Sequence, residues 1–277
     1  MRMWFRPRQP GHNIEIWFIM TIKINLNSDM GESFGTWTMG DDDTLLTVVK
    51  SANIACGFHG GDPMVMDHTV RAALANGVSL GAHPSFQDLH GFGRRKMKIS
   101  HAEAENITAY QIGALQGIAA AAGGQVTHVK PHGAINNMAC RDRALADALA
   151  RAVKAVDPNL ILLAPTGSEL LAASRAINLP TASEVFADRT YGDDGNLTPR
   201  GNPDAMVHDP DQAVANVLAM IRDQQLVSTS GKEIPAEVQS ICVHGDGPTA
   251  IALARAVRAG IEAEGIAIAP LPEVIAA

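Results

Sequence analysis

The sequence predicts an α/β chain in which about seven parallel strands close into a β/α barrel, with its chemistry gathered at the C-terminal mouth. Two observations lead there. From Ile22 onward, short β-like apolar runs alternate with helical stretches, the rhythm of a parallel sheet covered by helices. Nearly every strand is then followed at once by polar residues: Asn27 and Asp29; Asn53, His59 and Asp62; His83; Lys130 and His132; Asp188 and Arg189; His244 and Asp246. In an open sheet, strands about 4.8 Å apart would spread six such clusters over roughly 25 Å. Closure makes them converge at one end.

The predicted strands run over 22–27, 52–55, 78–82, 126–130, 160–164, 182–186 and 240–244. Asp62-Pro63 sets a cap residue before a proline at the first helical position, and Gly77 closes that helix. Ser100-His101-Ala102-Glu103 is a capping box that opens a long alanine-rich helix ending at Gly123-Gly124. Asp209-Pro210 repeats the cap-proline device, and Val214, Val217, Leu218 and Ile221 then share one face. Gly247-Pro248 starts the last long helix, with Ile251, Ala254, Val257 and Ile261 as its apolar stripe.

The 277 residues, 46% of them hydrophobic, suffice for a full core and read as one domain over 21–277. Residues 1–20 combine Trp4, Arg6, Pro7, Arg8 and Pro10 with the short run Ile16-Trp17-Phe18-Ile19 and are expected to be an extension outside that domain, with translation starting at Met20. A net charge of -7 without a basic stripe argues against nucleic acid. The longest apolar runs fall short of the ~20 residues that span a bilayer. Cys56, Cys140 and Cys242 are odd in number and far apart, which suggests neither a disulfide framework nor a zinc knuckle and fits a reducing cytoplasm.

The densest polar signal is Val126 to Asn137. Its apolar run breaks into Lys130-Pro131-His132-Gly133, so a strand delivers Lys130 and His132 to its end, two apart and on one face. A desolvated lysine and an imidazole titrating near neutrality suit acid/base and anion-orienting work. Asp29 and Glu32 follow the first strand, where a carboxylate serves as base, metal ligand or cap. His59 is framed by Gly57, Gly60 and Gly61, and Asp62 reads as a cap. Of the adjacent pair Arg94 and Arg95, one is expected to bind an anion and the other to be structural. Asp188 and Arg189 are placed to close a salt bridge at the mouth, and Asp246 to orient His244 or cap the last helix.

Together the stretches NLNSDMGESFG, SANIACGFHGGD, GAHPSF with GFGRR, HVKPHGAINN, EVFADRTYGDDGNLTPRG and ICVHGDGPTA resemble the LamB/YcsF family, the A subunit of prokaryotic ATP-dependent 5-oxoprolinase. The likeness covers 22–270 in order. Departures are small: the family usually has tyrosine at Asn137, alanine at Gly60 and asparagine at Gly247. The resemblance implies a seven-stranded barrel related to glycoside hydrolase and polysaccharide deacetylase barrels. It further implies opening of the lactam of 5-oxo-L-proline to L-glutamate with ATP hydrolysis, in a complex with subunits B and C. The chain has no Gly-x-x-x-x-Gly-Lys-Ser/Thr loop, so ATP, with Mg2+, is expected to be handled by the complex.

On that reading the expected catalytic residues are Asp29, His59, His83, Lys130, His132 and His244. The expected substrate-binding residues are Asn27, Asn53, Arg94, Arg95, Arg189 and Asp246. Phosphorylation of the lactam oxygen would make a good electrophile, Lys130 and an arginine would hold the anionic groups, and His132 or Asp29 would activate water. No metal ligands are assigned. Two alternatives are a stand-alone metal-dependent hydrolase, with Asp29, His59 and other mouth histidines as ligands, and a non-catalytic subunit that presents the lactam to its partners.

Overall fold

The computed structural model describes residues 22–244 and 250–276. The expected 1–20 extension, the Met20 start, Asp246 and the Gly247-Pro248 helix start lie outside them. In chain order the elements are β1 (Lys23–Met30), α1 (Asp42–Leu46), β2 (Ser51–Ala55), α2 (Pro63–Ala75), β3 (Ser79–His83), α3 (His101–Ala121), β4 (Val126–Val129), α4 (Gly133–Ala139), α5 (Arg143–Val156), β5 (Ile161–Pro165) and α6 (Glu169–Ala176). There follow β6 (Thr181–Phe186), α7 (Pro210–Asp223), a β7 (Gln225–Val227) and β8 (Glu233–Pro235) hairpin, β9 (Ser240–Cys242), α8 (Ala250–Ala263), β10 (Ala267–Ile268) and α9 (Leu271–Ile275).

Strands β1 to β6 and β9 pair in parallel, and β9 closes on β1 through Asn25↔Ser240, Leu26↔Ile241 and Asn27↔Cys242. This is the predicted seven-stranded barrel. The short β10 extends the start of β1 outside the ring of seven. The β7–β8 hairpin, absent from the predicted strands, pairs antiparallel to itself and stands apart from the barrel sheet.

Helix starts follow their local chemistry. Asp62 accepts from the amides of Met64 (2.8 Å) and Val65 (3.1 Å), and the Ser100/Glu103 capping box is formed in both directions. Val217 on α7 and Ala254, Val257 and Ile261 on α8 are buried in the main core, with Val214, Leu218, Ile221 and Ile251 packed on it. No described helix is long and apolar enough to cross a membrane.

The inside of the barrel is polar, and β1 shows why. Period-two alternation sends Ile24, Leu26 and Met30 into the apolar layer under the helices and turns Asn25, Asn27 and Asp29 inward. Inside, each amide is hydrogen-bonded. Asn25 donates to Ser51 Oγ (2.7 Å), Asn27 to Glu184 Oε1 (2.9 Å) and Ser240 Oγ (2.8 Å), and Asn53 to Asn27 Oδ1 (2.7 Å) and Asp29 Oδ1 (2.9 Å). Buried polar groups cost little when so satisfied, and the column they form leads up to the mouth. The first strand runs past its predicted end at Asn27 to Met30, because Ser28 and Asp29 pair with Ala52 and Asn53 of β2.

Candidate active site

The site forms where the column meets the mouth. Lys130, at the end of β4, is buried with its Nζ 3.0 Å from Asp29 Oδ1, 3.0 Å from Glu184 Oε1 and 3.1 Å from Cys242 Sγ. Burial opposes the ammonium charge, but Asp29, Cys242 and Glu184 beside it hold Lys130 well above the usual lysine range. Burial likewise pushes the Asp29 carboxyl up, and His83 and Lys130 outweigh it, so Asp29 lies well below the usual carboxylate range. Lys130 and Asp29 are thus a fixed ion pair. Glu184, fully buried, is pushed up by its burial in spite of Lys130.

Three imidazoles crown this pair. His83 donates from Nδ1 to the carbonyl of Lys130 (2.6 Å), and its Nε2 lies 3.3 Å from Asp29 Oδ2. His132 donates from Nε2 to the carbonyl of Phe92 (2.9 Å), and its Nδ1 lies 3.0 Å from His83 Nε2 and 3.4 Å from Glu32 Oε1. His59 stacks on His132 with ring centroids 3.8 Å apart, and its Nε2 is 3.2 Å from Glu32 Oε1. Burial pulls both His59 and His132 well below the usual histidine range, and burial pushes the Glu32 carboxyl up. Ligating atoms of Glu32, His59, His83 and His132 all lie within 4.8 Å of one another.

Two glycines permit this convergence. Gly61, at φ +76°, brings its α-carbon so close to Ala55 and Gly31 that an added Cβ would stand 2.6 and 2.7 Å from their carbonyl oxygens. Gly93, at φ +64°, lies against Ser85, and a Cβ there would stand 2.9 Å from both the His132 ring and His59 Cβ. The Gly91-Phe92-Gly93 turn is thereby pressed onto the imidazoles, with the Phe92 carbonyl in reach of His132.

Above this floor opens a cavity of about 730 Å³, lined by Asp29, Glu32, His83, Lys130 and His132 below and by Arg94, Arg189, Arg200 and His244 at the sides. Arg94 also lies over the Phe92 ring at 4.8 Å. Arg95 is outside the lining and is held by Asp88, to which its Nε donates at 2.8 Å. Asn27 and Asn53 lie beneath the floor as braces for Glu184 and Asp29, and His59 stands behind His132; none of the three lines the cavity. Asp246 lies outside the described residues.

The expected Asp188–Arg189 salt bridge is not the pairing found. Asp188 Oδ2 accepts from His244 Nδ1 at 2.7 Å, while Arg189 donates to the carbonyls of Thr198 (2.7 Å) and Ala205 (3.2 Å). Successive side chains of an extended segment point apart, so neighbours in sequence do not pair here. Burial pulls His244 down but Asp188 prevails and raises it, and His244 in turn holds Asp188 below its usual range against burial. A raised histidine gives stability that is present below its unfolded value of 6.5 and lost as pH rises through its folded value; the lowered carboxyl gives stability lost only in acid. Asp188→Asn is therefore expected to abolish the decline in stability that the wild type shows as pH climbs through neutrality, as read by urea unfolding at a series of pH values.

Sequence reasoning passed over Glu184, which sits inside a strand with no polar punctuation, and left Glu32 among several groups sharing a turn. The alternation around Glu184 in Thr181–Phe186 was the available signal, since Ala182, Glu184 and Phe186 share one face.

Comparison with known proteins agrees with this architecture over nearly the whole chain. The chain is 55% identical over 249 residues to the 5-oxoprolinase A subunit of Bordetella pertussis, covering 90% of this chain and 99% of that one. It is also 55% identical over 252 residues to the 5-oxoprolinase A subunit of Azoarcus sp. strain BH72, covering 91% and 98%. The crystal structure of a lactam utilization protein from Thermus thermophilus superposes with a TM-score of 0.85 at 42% identity, over 90% of this chain and 99% of that one. The LamB/YcsF family profile matches residues 24–276, and the chain belongs to that family.

Proposed function

We propose that this chain is the lactam-hydrolysing A subunit of an ATP-dependent 5-oxoprolinase, opening 5-oxo-L-proline to L-glutamate together with subunits B and C. The observation that carries the reading is the buried Lys130–Asp29 pair under His83 and His132, at the floor of a cavity walled by arginines. Relatives named as the A subunit of 5-oxoprolinase at 55% identity and a lactam utilization protein of the same fold support the substrate class.

The residues divide the work by position. Arg94, Arg189 and Arg200 face the cavity as guanidinium donors for a carboxylate or for a phosphorylated lactam oxygen. Lys130 sets a fixed positive charge at the floor where negative charge develops during attack on the carbonyl carbon. His83 and His132 turn ring nitrogens toward each other at the floor and form the water-activating pair. Asp29 is committed to Lys130, His83 and Asn53, so its part is to orient them. ATP and Mg2+ enter through the complex.

The test is release of glutamate and phosphate from 5-oxoproline by this chain alone, by subunits B and C alone, and by all three. Activity confined to the full mixture is the expected result; ATP-independent turnover by this chain alone overturns the assignment. Within the mixture, His132→Ala is expected to lower glutamate formation by about 100-fold or more while the complex still assembles. Full activity in that variant would make this chain a binding subunit instead.

A further inference from the structure

We propose that the cavity floor holds one divalent transition-metal ion between His83 and His132, with Glu32 as its third protein ligand. Two backbone carbonyls fix the tautomers on which this depends. A carbonyl oxygen only accepts, so His83 Nδ1, 2.6 Å from Lys130 O, carries a proton, and so does His132 Nε2, 2.9 Å from Phe92 O. In the neutral rings the other two nitrogens are therefore bare, and His83 Nε2 also lies 3.3 Å from Asp29 Oδ2, a carboxylate already bonded to Lys130. The two bare nitrogens face each other at 3.0 Å, with ring planes 81° apart and both residues buried. Two lone pairs so close, with a carboxylate oxygen beside them, repel unless a proton or a metal ion lies between them.

Spacing and chemistry select a metal. In a tetrahedral site with bonds of about 2.0–2.1 Å, ligand atoms stand about 3.3 Å apart. His132 Nδ1 is 3.0 Å from His83 Nε2 and 3.4 Å from Glu32 Oε1, and all three donors lie within 4.8 Å of one another. Two imidazoles and one carboxylate suit zinc, cobalt or manganese-type ions. Each imidazole is anchored through its second nitrogen on a backbone carbonyl, as ligating histidines are. Glu32 supplies the negative charge that offsets the ion.

His59 belongs to the cluster but not to the ligand set. Its ring lies within 7° of parallel to that of His132 at 3.8 Å between centroids. Imidazole lone pairs lie in the ring plane, and two nearly parallel planes set one above the other do not meet where one ion could bond both rings. His59 is a positioning residue: it packs on His132 and contacts Glu32 Oε1 at 3.2 Å. A divalent ion so held supplies Lewis-acid polarisation and acidified water, the activation required of this floor. The ion's place follows from the floor's geometry and not from the identity of the substrate.

The experiment uses the full chain, stripped with chelator, desalted and titrated with zinc or cobalt, with bound metal counted by mass spectrometry. Expected are one ion per chain, a cobalt absorption spectrum of nitrogen and oxygen ligation, and a loss of affinity of about 100-fold or more in His132→Gln and His83→Gln. His59→Phe, which keeps the stacked ring, should retain one ion. Circular dichroism checks that each variant is folded, and ¹⁵N spectra of the wild type stand free of that concern: zinc should shift His83 Nε2 and His132 Nδ1 and leave the two carbonyl-bonded nitrogens protonated. No zinc bound at about 0.1 mM, or a proton on either facing nitrogen with zinc in excess, overturns the proposal and leaves a shared proton in the gap. Loss of the ion in His59→Phe with retention in His132→Gln overturns the ligand set. None of these readouts is turnover, so failure here leaves the proposed place in 5-oxoprolinase standing.

Discussion

Lys130→Met is expected to destabilise the protein by about 3–5 kcal/mol, because it strands two buried carboxylates that share one cation. Asp29 Oδ1 and Glu184 Oε1 each stand 3.0 Å from the lysine nitrogen; Asp29 also keeps His83 Nε2 at 3.3 Å, whereas Glu184 Oε1 is left with the Asn27 amide. Methionine fills similar volume, so the effect is electrostatic and not a cavity. The pH dependence gives the signature. Without the lysine the Glu184 carboxyl, already pushed up by burial, binds a proton more readily folded than unfolded, and a group whose folded pKa is raised gains stability as pH falls. The variant should thus be more stable near pH 5 than near pH 8 in urea unfolding. Adding Glu184→Gln should restore part of the loss, since one stranded charge is removed, whereas independent sites would give additive losses. In the reconstituted mixture, turnover should fall with the loss of positive charge at the floor, and Glu184→Gln should not restore it.

Gly93→Ala is expected to reduce turnover by about 100-fold or more while leaving the barrel folded. At φ +64° a side chain is strained, and the added methyl must displace Ser85 or move the turn away from His132, whose ring would lie 2.9 Å from it. Either way the Phe92 carbonyl leaves its place 2.9 Å from His132 Nε2. That bond fixes which nitrogen of His132 is bare, so its loss frees the imidazole to take the other tautomer. The stability cost should be modest, about 1–3 kcal/mol. Comparable losses in turnover and denaturation midpoint would show the turn to be only structural. A large loss in turnover with a small shift in midpoint supports its role in aiming His132.

The fold was legible because its signals are local. Capping residues at Asp62, Ser100 and Asp209 mark helix starts, and the alternation of strands with helices specifies a parallel sheet. The clustering of polar residues after strands then argued for closure, and it brought Asp29, His83, Lys130 and His132 to one floor. What stayed illegible was pairing across the barrel. Nothing near Glu184 in the sequence points to Lys130 or Asn27, and nothing near Asp188 points to His244 in preference to its neighbour Arg189. The donor cluster was hidden for a related reason. Its histidines arrive at or after the ends of three separate strands, β2, β3 and β4, and only the ring of strands makes them adjacent.

The polar column has a consequence for how the chain is made. Asn25 and Ser240 are hydrogen-bonded partners 215 residues apart, and β1 has no neighbour on that edge until β9 arrives. During synthesis the first strand must therefore wait, its amides and the Asp29 carboxylate still hydrated, while nearly all of the barrel emerges behind it. Contacts between such distant segments form late and slowly. The interior thus becomes dry in a single closing step, and a nascent chain interrupted before residue 240 keeps an open, wettable seam where the site will later stand.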